Sequence, residues 1–170
     1  MILIHTALLC EAQSFIEYYK LKKINNKLYQ NDKLIVLISG IGKENTLLTL
    51  EDIFSNHTII KAFNIGIAGC NDTTIEIGTL FCTNKCLKDI KKLPLITQDT
   101  ITINSKETNP TLYDMEAKYF LSICSLYLKK EDIFIFKIVS DHLSSKKLPK
   151  DYIKSIISKQ KIIHQFINLN

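Results

Sequence analysis

Three acidic residues of this 170-residue chain stand at or near the ends of predicted strands. Glu11 follows the first apolar run, Asp141 follows a later one, and Glu116 lies on a predicted helix beside an apolar stripe. Open α/β sheets bind ligands at the carboxyl ends of their strands, so these carboxyl groups are candidates for ligand contacts. Each also has a structural alternative, because the first two could cap helices and the third could be an exposed helix carboxylate.

The elements that must position these residues are short apolar runs alternating with amphipathic segments. Short apolar runs bounded by turn residues predict buried strands, and apolar residues at helical spacing predict helices. The predicted strands are residues 2–9, 24–30, 33–39, 59–67, 77–83, 93–103 and 133–139. The predicted helices are residues 11–23, the segment after Gly42 that contains residues 47–54, residues 112–129 and residues 151–167. This alternation predicts one α/β domain over residues 1–170, with a mainly parallel or mixed central sheet and helices on both faces.

The basic residues argue against nucleic-acid binding. All 22 of them are lysines, scattered along the chain, and the formal net charge is +5. Arginine supplies the planar fork that contacts guanine edges and clamps phosphates, and this chain has none. The hydrophobic fraction of 46% is ordinary for a folded domain, which excludes a disordered chain.

The cysteines and the apolar runs restrict the compartment and the cofactors. Five cysteines, mostly inside apolar stretches, are typical of reduced thiols, and Cys82 with Cys86 lacks the partners of a zinc site. No apolar run approaches the ~18 residues of a membrane span, and the first residues do not form a basic leader. We therefore expect a cytoplasmic protein with no membrane partner, no metal and no cofactor.

Four segments follow one another in a set order. They are SGIG from Ser39, GIAGCNDTTIEIGTLF from Gly66, YDMEAKYFLSIC from Tyr113 and FIFKIVSDH from Phe134. With the early strand that runs into Glu11, they resemble the purine nucleoside phosphorylase superfamily, in a shortened form. They are most similar to the methylthioadenosine/S-adenosylhomocysteine nucleosidases. The resemblance implies a nucleoside phosphorylase-like fold, a homodimer, and hydrolysis of the N-glycosidic bond of a purine nucleoside.

The resemblance also implies roles for the three acidic residues. Asp141 would be the general acid that protonates the leaving base, which requires a pKa raised by burial. Glu116 would accept both ribose hydroxyls, as a single carboxylate can. Glu11 would orient or deprotonate the attacking water.

Five further residues would bind the substrate, again by resemblance. Met115 would pack against the sugar, and the backbone at Ala68 and Gly69 would come close to the ligand. Ser140 would position the general acid. Ile101 stands where nucleosidases carry a phenylalanine that stacks on the purine, so aliphatic packing would replace stacking.

The match departs from the family pattern on the side of the base. The length deficit falls between Cys86 and Leu93, where relatives carry a longer stretch that shapes the pocket and the dimer contact. Tyr113 or Phe120 could supply an aromatic face instead, although core packing suits both. The identity of the base and the catalytic competence of the site therefore stay open.

Three alternatives also stay open. A purine nucleoside phosphorylase would need an anion site, and the chain lacks the arginines and the first-strand glycine that such enzymes use. Lys43 could bind phosphate as a point charge. A degenerate, non-catalytic nucleoside-binding protein would keep the fold without the reaction. An unrelated doubly wound domain would use its acidic residues as caps, but it lacks a dinucleotide fingerprint because GIGKEN is not G-x-G-x-x-G.

Overall fold

A computed structural model of the chain describes residues 1–167, which form nine strands and five helices. The strands are β1 (Ile2–Thr6), β2 (Lys22–Lys23), β3 (Leu28–Gln30), β4 (Leu34–Ile38), β5 (Lys61–Cys70), β6 (Leu80–Cys82), β7 (Leu95–Thr97), β8 (Leu112–Asp114) and β9 (Ile133–Asp141). The helices are α1 (Leu9–Tyr18), α2 (Lys43–Asn56), α3 (Ala117–Tyr127), α4 (Lys150–Ser158) and α5 (Ile163–Phe166). None of these helices has the length and hydropathy needed to cross a membrane.

The strands form one mixed sheet with a parallel centre. Strands β4, β1, β5 and β9 lie side by side in parallel, and β6 extends the sheet antiparallel to β9. Strand β5 is long enough to pair with β1 along its first half and with β8 at its end, on the edge opposite β9. The short β2, β3 and β7 complete the edges. This arrangement confirms the predicted α/β class.

Helices cover both faces of the sheet, as the apolar pattern predicted. Helices α1, α4 and α5 pack on one face around Phe15, Phe63 and Phe136, which are buried. Helices α2 and α3 pack on the other face around Leu50 and Phe120. Alternate residues of the central strands supply both clusters, which is why these strands are apolar runs.

The predicted helix over residues 112–129 was wrong at its start. Residues Leu112–Asp114 form β8, and α3 begins only at Ala117. The Asp114 carboxylate accepts the backbone N–H of Ala117 at 2.9 Å, so this side chain marks the start of the helix. A local hydrogen bond therefore decided the boundary, where the apolar spacing predicted a longer helix.

Other elements are shorter than predicted. The strand expected over residues 93–103 is only β7, and the residues after it form a loop that side-chain hydrogen bonds hold. The helix expected over residues 151–167 is divided into α4 and α5 by a turn at 159–162. The first helix spans Leu9–Tyr18 instead of 11–23, so Glu11 lies in its first turn.

Candidate active site

A cavity of about 170 Å³ opens at the carboxyl ends of β1, β5 and β9. All eight residues that the sequence assigned to the site line it, namely Glu11, Ala68, Gly69, Ile101, Met115, Glu116, Ser140 and Asp141. They come from five separate stretches of the chain, and the parallel strands bring those stretches to one edge. The cavity is therefore the candidate active site.

Glu11 is both a helix cap and a wall of the cavity. Its Oε2 accepts the backbone N–H of Ala7 at 3.0 Å and of Leu8 at 2.9 Å, while Oε1 accepts that of Ile67 at 3.0 Å. Burial raises the pKa of this carboxyl, although these hydrogen bonds and the charge of Lys137 oppose the shift. A carboxylate has about four acceptor positions, so three N–H donors leave one for a ligand or a water.

Lys137 is the main functional candidate that the sequence analysis did not identify. It lies in the middle of β9, is 1% exposed, and its Nζ stands 2.7 Å from Asp114 Oδ2. Burial alone would lower the pKa of Lys137, but the charges of Asp114, Glu116 and Glu11 outweigh it and raise the pKa. This ammonium therefore stays charged and compensates the buried carboxylates around it. The available signal was a lysine inside the apolar run IFIFKIV, where only a paired charge can be buried.

Gly66 leaves the space in which these charges meet. A Cβ atom at this position would stand 2.9 Å from Glu11 Oε1 and 3.5 Å from Lys137 Nζ. The first distance is shorter than a normal Cβ contact, so a side chain here would displace the Glu11 carboxylate from its position beside β5. The need for a small residue at position 66 comes from the packing of the site, because Gly66 lies inside strand β5.

Glu116 stands at the start of α3 and contacts the start of α2. Its Oε1 accepts the backbone N–H of Gly42, the residue that caps the N-terminus of that helix, at 2.8 Å. Burial raises the pKa of Glu116 to about 7, against the opposing effects of Lys137 and the Gly42 N–H. The structural alternative of an exposed carboxylate is wrong, since the side chain is 8% exposed. Met115 lines the cavity beside it.

Two buried polar side chains, His5 on β1 and Asn64 on β5, lie next to each other on one face of the sheet. The Nδ1 of His5 and the Nδ2 of Asn64 are 2.8 Å apart, on paired positions of β1 and β5. Burial, with a contribution from the charge of Lys137, lowers the pKa of His5 to about 3. The imidazole is therefore neutral at physiological pH. Among residues 1–167, the cation that faces the buried carboxylates is Lys137.

Asp141 ends β9 and carries two hydrogen bonds. Its Oδ2 accepts the Ser140 hydroxyl at 2.7 Å and its Oδ1 accepts the Ser144 backbone N–H at 2.8 Å. Leu143 between them has a φ of +55°, a left-handed conformation that non-glycine residues rarely adopt. A Cβ on Gly69 would stand 3.4 Å from Asp141 Oδ1 and 3.1 Å from the Leu143 side chain, so the glycine lets Leu143 pack close to the backbone of β5 at this corner.

The remaining wall comes from the loop after β7 and from β8. Ile101 lines the cavity and is 67% exposed, whereas Tyr113 lines it and is 7% exposed. Phe120 is fully buried in the core, 5.5 Å from the His5 ring, and does not line the cavity. Of the two aromatic residues weighed from the sequence, only Tyr113 can meet a ligand here.

Comparison with known proteins gives matches at the level of structure. No family model matches the chain, and a search of curated proteins finds no match. A Chlamydia trachomatis nucleosidase (MTAN) bound to MTA aligns with a TM-score of 0.78 and 14% identity, over 98% of both chains. A futalosine hydrolase mutant of Helicobacter pylori aligns with a TM-score of 0.79 and 13% identity, over 98% of this chain and 97% of that one.

A third structure agrees with these two. The Helicobacter pylori MTAN with 5′-methylthioadenosine in its active site aligns with a TM-score of 0.77 and 13% identity, over 98% of this chain and 97% of that one. All three neighbours are nucleosidases or hydrolases of the nucleoside phosphorylase superfamily. The chain therefore has the nucleoside phosphorylase-like fold of these nucleosidases, which confirms the fold that the ordered sequence motifs predicted.

Proposed function

We propose that this protein is a nucleosidase that hydrolyses the N-glycosidic bond of a purine nucleoside similar to methylthioadenosine or S-adenosylhomocysteine. The observation that carries the proposal is the meeting of Glu11, Glu116 and Asp141 in one cavity, with the buried ammonium of Lys137 near enough to act on the pKa of the first two carboxylates. The fold shared with the nucleosidases supports it. In the reaction, water adds to the anomeric carbon, the bond to the base breaks, and the base takes up a proton.

On the ribose side, the ionised form of Glu116 accepts hydrogen bonds from both ribose hydroxyls. Its Oε1 already binds the Gly42 N–H, which fixes the orientation of the carboxylate before the substrate arrives. Met115 packs against the sugar beside it. The oxocarbenium character that develops on the ribose is stabilised by the negative charge of this carboxylate.

Glu11 orients the attacking water and accepts its proton. Three backbone N–H groups fix the carboxylate, which lines the cavity and has one acceptor position left for the water. The pKa of this carboxyl is raised by burial, which makes it a better proton acceptor than an exposed glutamate. Ammonium charge at Lys137 keeps the carboxylate ionised before it takes the proton.

Asp141 serves the leaving base. As the bond breaks, the electron pair moves onto the base, and Asp141 delivers a proton to a ring nitrogen so that the base leaves neutral. The Ser140 hydroxyl and the Ser144 N–H hold the carboxyl group in one orientation, which supports Ser140 as its positioning residue. Ala68 and Gly69 contribute backbone and open space beside it.

The charges of the cavity favour water over phosphate as the nucleophile. The buried ammonium of Lys137 is already paired with Asp114 and surrounded by Glu11 and Glu116, so an incoming phosphate would meet net negative charge. Lys43, the candidate phosphate ligand from the sequence, holds its ammonium 5.7 Å from the centre of the Tyr119 ring. A phosphorylase reaction would require both arrangements to change.

We also propose that the protein acts as a homodimer. Ile41 and Ile101 line the cavity with half or more of each side chain exposed, and Leu9, the first residue of α1, is also half exposed. A second copy packed over this apolar rim would shield the site from bulk water. Light scattering on the purified protein at micromolar concentration gives the mass, and a monomer at all concentrations would contradict the proposal.

One assay tests the proposed reaction. Purified protein is incubated with methylthioadenosine, S-adenosylhomocysteine, adenosine and inosine, with and without phosphate, and free base is measured by chromatography. We expect base to be released from at least one nucleoside without phosphate. Release only with phosphate would make the protein a phosphorylase, and binding without release would make it a non-catalytic nucleoside-binding protein.

A further inference from the structure

Three residues in register across the sheet define a slot at the base side of the cavity. Gly69 on β5 pairs with Tyr113 of β8 along one edge and with Asp141 of β9 along the other. Residues directly opposite each other on neighbouring strands point to the same face of a sheet. Tyr113 and Asp141 therefore flank the glycine on the same face, two strand spacings or about 10 Å apart along the sheet.

Gly69 has no side chain, so Leu143 and Asp141 pack close to its backbone at the floor of the slot. A Cβ there would stand 3.1 Å from the Leu143 side chain and 3.4 Å from Asp141 Oδ1. Among the described residues that line the cavity, Tyr113 alone has an aromatic side chain. Ile101, which also lines the cavity, is mostly in solvent.

The Tyr113 ring is held in place from its far end. Its hydroxyl contacts the Ser105 hydroxyl, which also accepts the backbone N–H of Glu107 at 2.9 Å. The Asn71 amide donates to Ser105 at 3.3 Å and to the backbone oxygen of Asn109 at 3.0 Å, so one network joins the ring to the loop. A ring fixed at both ends loses little freedom when a ligand packs against it.

We propose that Tyr113 packs against the purine base and sets the affinity for it, across the slot from Asp141. The proposal rests on the proposed function, because it takes Asp141 to contact the base. An aromatic ring provides apolar and π surface that a flat heterocycle uses well, and Ile101 provides neither in a buried position. The nucleosidases that the sequence resembles carry their stacking phenylalanine at the position of Ile101, in the loop after β7, whereas here the stacking residue would be Tyr113 on β8.

Adenine binding measured by calorimetry tests the proposal with a graded pair of variants. In Tyr113→Leu the ring is lost, and we expect the dissociation constant for adenine to rise by about 5- to 100-fold. In Tyr113→Phe the ring remains and only the contact with Ser105 is lost, so the constant should change by less than about threefold. The matched control is Tyr127→Leu, an exposed tyrosine on α3 outside the cavity, which should bind as the wild type does.

A measurement on the wild-type protein tests the same contact without substituting a buried residue. With ring-labelled tyrosine and saturating adenine, we expect a nuclear Overhauser contact between base protons and one of the seven tyrosines. The tyrosine is assigned by the loss of its signal in Tyr113→Phe. This experiment decides the question if Tyr113→Leu does not fold.

The outcomes separate this proposal from the proposed function. If the wild type binds adenine while Tyr113→Leu folds and binds equally well, Tyr113 does not contact the base and the inference is overturned. A contact from another tyrosine would overturn it as well. If the wild type neither binds purines nor releases base, the proposed nucleosidase function itself fails, and this inference fails with it.

Discussion

The two halves of the cavity are built in different ways. The ribose half, formed by Glu11, Asp114, Glu116 and Lys137, is buried, and each side chain is held by a backbone N–H or an ion pair. In the base half, Ile101 and the segment after Asp141 lie on loops, and the Ile101 side chain is mostly exposed. In the proposed function the sugar and the water meet a fixed charge arrangement, whereas the base meets loops as well as Tyr113 on β8, and those loops can vary without loss of the fold.

This difference indicates where chemistry and specificity reside. The ribonucleosides of the proposed function share a ribose, so a rigid half suits the part of the substrate that does not change. Bases and their substituents differ, and loops tolerate the substitutions that adapt a pocket to them.

The largest effect is expected in the base half, from Asp141→Asn. An amide cannot deliver the proton that the leaving base needs, so turnover should fall by roughly 10²- to 10⁴-fold, measured by base release under saturating nucleoside. Asp151→Asn, in the exposed first turn of α4, is the matched control and should keep full activity. A loss of less than about threefold would remove Asp141 from the acid role.

The next effect belongs to the ribose half, at the buried ion pair. Lys137→Met leaves Asp114 buried without its partner, which should lower the free energy of unfolding by about 3–5 kcal/mol in chemical denaturation. The double variant Lys137→Met with Asp114→Asn removes both charges and should recover part of that loss. If the double variant is no more stable than the single one, charge compensation is not what this pair provides.

A smaller effect follows from the raised pKa of Glu116, which burial brings from 4.5 to about 7. The folded protein holds the Glu116 proton more tightly than the unfolded chain does, so this contribution to stability is complete below pH 4.5. It is lost as the pH rises through about 7, and amounts to about 3 kcal/mol. Denaturation curves for Glu116→Gln should lack this pH dependence, while an unchanged curve would contradict the assignment.

The same pKa of Glu116 predicts a pH dependence of catalysis. In the proposed reaction Glu116 binds the ribose in its ionised form, so kcat/KM for the nucleoside should rise about tenfold per pH unit below pH 7. Loss of the Asp141 proton that the leaving base needs should limit kcat/KM on the alkaline side. Steady-state rates between pH 5 and 9 measure this. A flat profile over that range would mean that the carboxylate is not needed in its charged form.

The sequence identified the candidate residues that belong to local motifs, but not those that long-range strand pairing brings into the site. Glu11, Glu116 and Asp141 could be singled out as candidates because strand ends and ordered motifs lie in contiguous sequence. Lys137 was missed because its partner Asp114 is 23 positions away along the chain, and only the pairing of β8 and β9 with β5 brings them together. The register that sets Tyr113 opposite Gly69 is also a long-range contact, which composition and periodicity do not encode.

The smallest effect is expected from Ile101→Ala, again in the base half. The side chain is 67% exposed, so its truncation removes little buried apolar surface from the cavity wall. We expect the KM for the nucleoside to change by less than about threefold, in contrast to the change expected for Tyr113→Leu. A larger rise in KM for Ile101→Ala would mean that the loop after β7 closes over the base when substrate binds, and the base half would then be assembled only by the ligand.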